Sequence, residues 1–166
     1  QIKNNRFDVQ LYSKPAIIAT SIDSILISGN HINGSVNVDG TKYMVVDKNN
    51  IYHEGYNQIS LKVIAGTGRQ AGAPAIVSNN MIQSKIVGTY NGANVNNTVL
   101  YALGDRINIL HNTLVARDTG SVTGYTAGSV LYLGGKYDTV KNNILYNVAG
   151  GTLVITNAVT NLTSNY

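Results

Sequence analysis

The sequence predicts an all-β fold of short strands and loops wound into repeating coils. The 166 residues include 22 Asn, 17 Gly and 14 Thr, and only 12% of them are charged. This composition lacks the high charge of a disordered chain and the Ala, Glu, Lys and Leu excess of a helical one. A short asparagine motif also recurs along the chain. With 43% hydrophobic residues, the length suits one domain that buries a core without disulfides or metals.

The asparagine motif consists of an apolar residue, about two polar residues, an Asn and another apolar residue, as in VSNNMI at 77–82. Its final Asn falls at positions 5, 30, 50, 80, 112, 143 and 165. Steps of 25, 20, 30, 32, 31 and 22 residues are too uneven for helical repeats, but they suit strand coils joined by loops of variable length. An Asn between strands can turn the chain in the left-handed region, and its amide both donates and accepts hydrogen bonds. We therefore interpret five asparagines as a structural ladder between stacked coils: Asn30, Asn50, Asn80, Asn112 and Asn143.

The motif resembles the right-handed parallel β-helix of the pectin lyase-like superfamily, and the resemblance covers nearly the whole chain. It implies three sheets, about six coils, and an Asn turn between the second and third strands of each coil. The implied first strands are Ser35–Val38, Ile59–Ile64, Thr98–Leu103, Ser129–Leu133 and Thr152–Ile155. The implied second strands are Ile25–Ile27, Tyr43–Val46, Ala75–Val77, Arg106–Ile109 and Tyr137–Val140. Pectate lyases, polygalacturonases, phage tailspikes and surface adhesins share this motif, so the resemblance specifies a fold and leaves the function open.

The chain is expected to be one module, residues 1–166, whose ends carry no amphipathic capping helix. Open coils expose unpaired backbone, so we expect a fragment of a longer solenoid, or a chain whose ends are covered by other segments or subunits. The absence of Cys excludes disulfides, thiolate zinc sites and cysteine nucleophiles.

Strand alternation predicts a candidate binding stripe on the first sheet. It points Lys62, Tyr101 and Tyr132 outward, and a loop that starts with Arg117 and Asp118 flanks them. The resemblance implies that saccharides bind along this sheet in a groove walled by loops at 53–58, 65–74, 83–97 and 116–128. Tyrosine suits sugar rings because it presents an apolar face and a hydroxyl. The alternative is that the tyrosines only stack laterally and stabilise the sheet surface.

The sequence offers only sparse chemistry for an enzyme. The resemblance implies that a lyase would use Lys or Arg as the base and a cation to neutralise a uronate, and Lys62, Arg106 and Lys136 are the candidates. A hydrolase needs converging acids, but the chain has one Glu and seven dispersed Asp. For the same reason no acidic cluster supports Ca²⁺, and we expect no cofactor and no metal. The neighbours His53 and Glu54 form a further possible acid/base pair.

Charge and hydropathy narrow the range of binding partners that we expect. The net charge of +4 is scattered without a basic run that could track nucleic acid, and no apolar stretch reaches the roughly 18 residues of a membrane span. We expect a secreted or cell-surface module that contacts polysaccharide. A fragment of a polysaccharide lyase or other carbohydrate-active enzyme is one alternative. A structural segment of an adhesin, tailspike or surface assembly is the other.

Overall fold

A computed structural model describes residues 1–9, 14–55, 59–66, 73, 75–86, 98–117, 129–148, 153–156 and 160–163. Within these ranges the chain forms nineteen strands and no helix. In chain order the strands are β1 (Ile2–Lys3), β2 (Arg6–Asp8), β3 (Pro15–Thr20), β4 (Ser24–Ser28), β5 (His31–Asn33), β6 (Ser35–Thr41), β7 (Tyr43–Asp47), β8 (Asn50–Gly55), β9 (Leu61–Ala65), β10 (Ala75–Ser78), β11 (Met81–Ile86), β12 (Leu100–Leu103), β13 (Ile107–Leu110), β14 (Thr113–Arg117), β15 (Leu131–Leu133), β16 (Asp138–Lys141), β17 (Ile144–Asn147), β18 (Val154–Thr156) and β19 (Thr160–Thr163). Nothing in these ranges is a helix long and apolar enough to cross a bilayer.

The strands join three sheets in strict rotation, which makes the fold a right-handed parallel β-helix of about six coils. Sheet A has the order β1-β4-β7-β10-β13-β16-β19, sheet B the order β17-β14-β11-β8-β5-β2, and sheet C the order β18-β15-β12-β9-β6-β3. Each strand pairs in parallel with the strand three places further along the chain. The predicted first strands lie in sheet C and the predicted second strands in sheet A, so the fold prediction is confirmed.

Apolar side chains from all three sheets fill the interior. Alternation along each strand sends every second residue inward, and the register aligns those residues between coils. The largest fully buried side chains are Ile27, Ile32, Met44, Ile51, Leu61, Ile82, Leu100, Ile107, Ile109, Leu114, Leu131 and Leu133. Complete burial of each contributes about 1.5–3 kcal/mol, so this core is the main source of stability.

An asparagine ladder runs along the turn between sheets A and B. The Oδ1 atom of Asn112 accepts hydrogen bonds from the Asn80 backbone N–H and from Asn80 Nδ2, both at 3.0 Å. The same pair of hydrogen bonds links Asn30 to Asn49, Asn49 to Asn80, and Asn112 to Asn143. These side chains are almost completely buried, which confirms their structural role.

The ladder prediction is wrong at one position, because Asn49 occupies the place predicted for Asn50. Asn50 is exposed and starts β8. The physical reason lies in the turn, where the residue before each ladder Asn, not the ladder Asn itself, adopts the left-handed conformation. Positive φ angles occur at Asn4, Gly29, Lys48, Asn79, His111 and Asn142. Since Lys48 takes this place in its coil, the ladder residue that follows is Asn49.

Glycines form a second column at the corner between sheets C and A. Gly104 has a φ of +105°, a conformation that L side chains rarely adopt. A Cβ atom on Gly135 would collide with the backbone oxygen of Gly104 in the neighbouring coil. The corner therefore depends on glycine for close backbone approach as well as for conformation.

The third strands are longer than the sequence predicts. β8 includes His53 and Glu54, β11 continues from Gln83 through Ile86, and β14 continues through Arg117. These residues were assigned to flanking loops. They form strands because their neighbours in adjacent coils pair with them in register, a non-local contact that the composition of one segment does not reveal.

Candidate functional site

The outer face of sheet C carries a straight row of side chains, one from each of five adjacent strands. In register, the row runs Ile18, Asn37, Lys62, Tyr101 and Tyr132. The predicted stripe of Lys62, Tyr101 and Tyr132 is thus formed by three adjacent strands. All three side chains are half-buried. Parallel strands lie about 4.8 Å apart, so the row repeats on the scale of a single sugar residue.

The two tyrosines of this row stack on each other. Their ring centroids are 4.6 Å apart and the ring planes differ by 3°. This geometry follows from the register, because identical side chains at paired positions of parallel strands lie one strand spacing apart. Burial, and secondarily the neighbouring Tyr132, raises the pKa of Tyr101. Each ring covers the facing side of the other, so a ligand that approaches from outside meets ring edges and hydroxyl groups.

Lys62 forms an ion pair with Asp39 across neighbouring strands. The Nζ atom of Lys62 lies 3.4 Å from Oδ2 of Asp39, and about a third of each side chain is exposed. Asp39 belongs to a second outward row, which continues through Thr20, Ile64 and Leu103. Both Asp39 and Asn37 contribute to this face, although sequence analysis did not select them. The alternation in β6 contained the signal, since Val36 and Val38 face the core and place Asn37 and Asp39 outside.

Arg117 lies at the end of a sheet B strand and not on sheet C. It is exposed and pairs in register with Lys85, whose Nζ donates a 2.8 Å hydrogen bond to Glu54 Oε1. Tyr52 donates its hydroxyl to Glu54 Oε2 at 2.9 Å. The bond from Lys85 is the main cause that lowers the pKa of Glu54, while burial followed by the Glu54 contact raises that of Tyr52. Asp118, which follows Arg117 in the predicted flanking loop, lies outside the described residues.

His53 and Glu54 do not form an acid/base pair on one surface. His53 is buried at 3% exposure and pairs in register with Ser84, which is also buried. Successive residues of a strand point to opposite faces, so Glu54 lies on the outer surface where Lys85 meets it.

The three cations considered for lyase chemistry are divided between two places. Lys62 lies in the middle of sheet C, whereas Arg106 and Lys136 follow the ends of sheet C strands at the corner that leads to sheet A. The Arg106 backbone N–H donates to the Lys136 carbonyl at 2.9 Å. The Arg106 guanidinium lies 5.5 Å from the centroid of the Tyr137 ring. Arg106 and Lys136 are therefore neighbours in adjacent coils, whereas Lys62 lies apart from them in the strand.

Metal-binding geometry is absent from the described ranges, where no three His, Asp or Glu side chains come together. Most carboxylates in these ranges bind groups of a neighbouring coil. Asp138, for example, is fully buried and accepts a 2.8 Å hydrogen bond from the Ile107 backbone N–H.

Comparison with known proteins gives no match for this chain among protein-family models, curated proteins or solved structures. The all-β fold with three parallel sheets is established by the strand pairing itself.

Proposed function

We propose that this chain is a secreted or cell-surface β-helix module, of the pectin lyase-like kind, that contacts polysaccharide along sheet C. The observation that carries the proposal is the register of Asn37, Lys62, Tyr101 and Tyr132 on four adjacent strands. An amide, an ammonium and two phenols in one line can donate and accept hydrogen bonds with the hydroxyls of successive sugars. A linear polymer fits such a row better than a compact ligand does.

The tyrosine stack also favours a second candidate function, a structural segment of an adhesin, tailspike or other surface assembly. The faces of the two tyrosine rings contact each other, and such a pair contributes about 0.5–1.5 kcal/mol to stability beyond the effect of the area that it buries. In that case the stack and the asparagine ladder serve rigidity, and the outer face of sheet C binds no glycan. The lyase alternative has less support, because only two of its three candidate residues, Arg106 and Lys136, lie next to each other.

A glycan array with the isolated chain separates the two candidates. The panel should contain neutral and acidic polysaccharides, and the variants should be Tyr132→Ala and Tyr146→Ala. Tyr146 is the matched control, since it is 57% exposed on the outer face of sheet B. We expect binding that weakens about tenfold or more, at least 1.4 kcal/mol, for Tyr132→Ala and stays unchanged for Tyr146→Ala. A blank array on folded protein would instead support the structural segment.

A further inference from the structure

The outer face of sheet C carries almost no net charge. Its two outward rows contain Ile18, Asn37, Lys62, Tyr101 and Tyr132 in one, and Thr20, Asp39, Ile64 and Leu103 in the other. Among these described residues only Lys62 and Asp39 are charged, and their charges are opposite. The chain as a whole has a net charge of +4, so its excess of cations lies elsewhere.

Asp39 neutralises the one cation of this face. The 3.4 Å separation from Lys62 Nζ makes the carboxylate the partner that an anionic ligand would have to replace. A uronate or sulfate that approached Lys62 would also meet the negative charge of Asp39. Like charges in close contact disfavour binding, and this is a common way in which proteins reject a wrong ligand.

The other polar groups of the face are suited to hydroxyl groups. The tyrosine hydroxyls can each donate and accept a hydrogen bond, whereas Asn37 can offer a ligand only its amide nitrogen as a donor, because its Oδ1 atom is buried. Tyr101 stays protonated at physiological pH, because the ordinary tyrosine pKa of 10.0 already lies well above that pH and burial raises the pKa of Tyr101 further. Its hydroxyl makes no hydrogen bond with the described part of the chain and is available to a ligand.

We propose that the sheet C face selects an uncharged polysaccharide over an acidic one, and that Asp39 determines this specificity by holding Lys62 in an ion pair. This inference rests on the proposed function, since it names the substrate class of the same face. Cations beyond the ends of the sheet C strands, such as Arg106 and Lys136, offer the competing outcome in which acidic polymers bind through the rim of the face.

Polymers that differ only in charge test the proposal. One pair is polygalacturonate and the same polymer with every carboxylate methyl-esterified. A second is carboxymethylated and unmodified dextran, both of which are soluble. For a pair that binds, we expect the neutral member to bind about tenfold tighter or more. Its affinity should not change between low and moderate salt, because the interaction with a neutral polymer involves no charge on the ligand.

Two matched variants test the role of Asp39. Asp39→Asn keeps the shape but releases Lys62, and we expect it to raise the affinity for the charged polymer about tenfold in a salt-dependent manner. Asp23→Asn is the control, because it breaks a similar surface pair with Lys42 at 2.8 Å and changes the net charge equally. Far-UV circular dichroism and the urea midpoint verify that both variants fold.

Three outcomes would contradict this proposal in part or as a whole. Tighter, salt-sensitive binding of the charged polymers by the wild type overturns the inference and leaves polysaccharide binding intact. Equal responses of Asp39→Asn and Asp23→Asn overturn the specificity role of Asp39. Absence of binding to every polymer in these pairs and in the glycan array overturns the proposed function and the inference together.

Discussion

Removal of one ladder amide should destabilise the β-helix far more than removal of a similar amide from its surface. Asn112 is 1% exposed, and its side chain makes five hydrogen bonds. Its Nδ2 donates to the carbonyl oxygens of Val77 and Leu110 and to Asn143 Oδ1. Its Oδ1 accepts from both nitrogens of Asn80, so one side chain connects three coils.

The magnitude follows from these contacts. In Asn112→Ala all five bonds are lost, and the buried Asn80 backbone N–H loses its acceptor. Neutral hydrogen bonds contribute about 0.5–1.5 kcal/mol each, and a buried orphaned donor costs about 1–3 kcal/mol. Because the two Nδ2 protons are shared among three acceptors and neighbouring bonds are not additive, we expect the lower end of the sum, a loss of roughly 3–5 kcal/mol. Domains of this size have a free energy of unfolding of about 5–15 kcal/mol, so the variant should remain folded but should be only marginally stable.

Urea denaturation followed by circular dichroism measures the loss. With an m-value of about 2 kcal/mol/M, the midpoint should fall by about 1.5–2.5 M. The matched control is Asn108→Ala in the preceding strand, because Asn108 is half-buried on the outer surface of sheet A. That substitution should change stability by about 0.5 kcal/mol or less. Equal midpoints for the two variants would refute the view that the ladder stabilises the fold.

Three further substitutions test the turns and the surface network. Lys48 has a φ of 54°, where three other turns already carry Asn, so Lys48→Asn should relieve strain and raise stability by about 0.5–1 kcal/mol in urea denaturation; no gain would count against the strain argument. Gly135→Ala should lower stability by about 1–3 kcal/mol or more, because the new Cβ meets the Gly104 carbonyl oxygen, and an unchanged midpoint would contradict the close approach. The Lys85 contact lowers the pKa of Glu54. The stability that ionised Glu54 contributes is therefore fully present above the ordinary pKa of 4.5 and is lost as the pH falls through the lowered pKa. Glu54→Gln should therefore reduce the stability difference between about pH 6 and about pH 3, whereas an identical difference in both proteins would show that Glu54 is not involved.

Much of the fold could be predicted because the asparagine motif marks the same turn in every coil. Strand alternation then placed Lys62, Tyr101 and Tyr132 on one face, since a period of two fixes which side chains share a surface. The error at Asn50 arose because the doublet Asn49-Asn50 offers two registers to a pattern. The spacing to the core residues distinguishes them, because each ladder Asn follows a buried apolar residue by three positions, as Asn80 follows Val77 and Asn49 follows Val46.

Contacts between coils were the part that the sequence did not reveal. Glu54 meets Lys85 from the next coil, at a sequence separation of 31 residues. The Lys62 partner Asp39 lies 23 residues away in the previous coil. Because loop lengths vary from coil to coil, residue spacing alone did not determine which charged side chains become neighbours.

Mapping of a bound polysaccharide onto the surface tests the central claim most directly. The measurement is an NMR titration of isotope-labelled protein with a polymer that binds in the array, read from the backbone amide signals. The account predicts that the largest shifts follow the register of sheet C, at Asn37, Lys62, Tyr101 and Tyr132. Shifts confined to sheets A or B, or no shifts at saturating polymer, would contradict it.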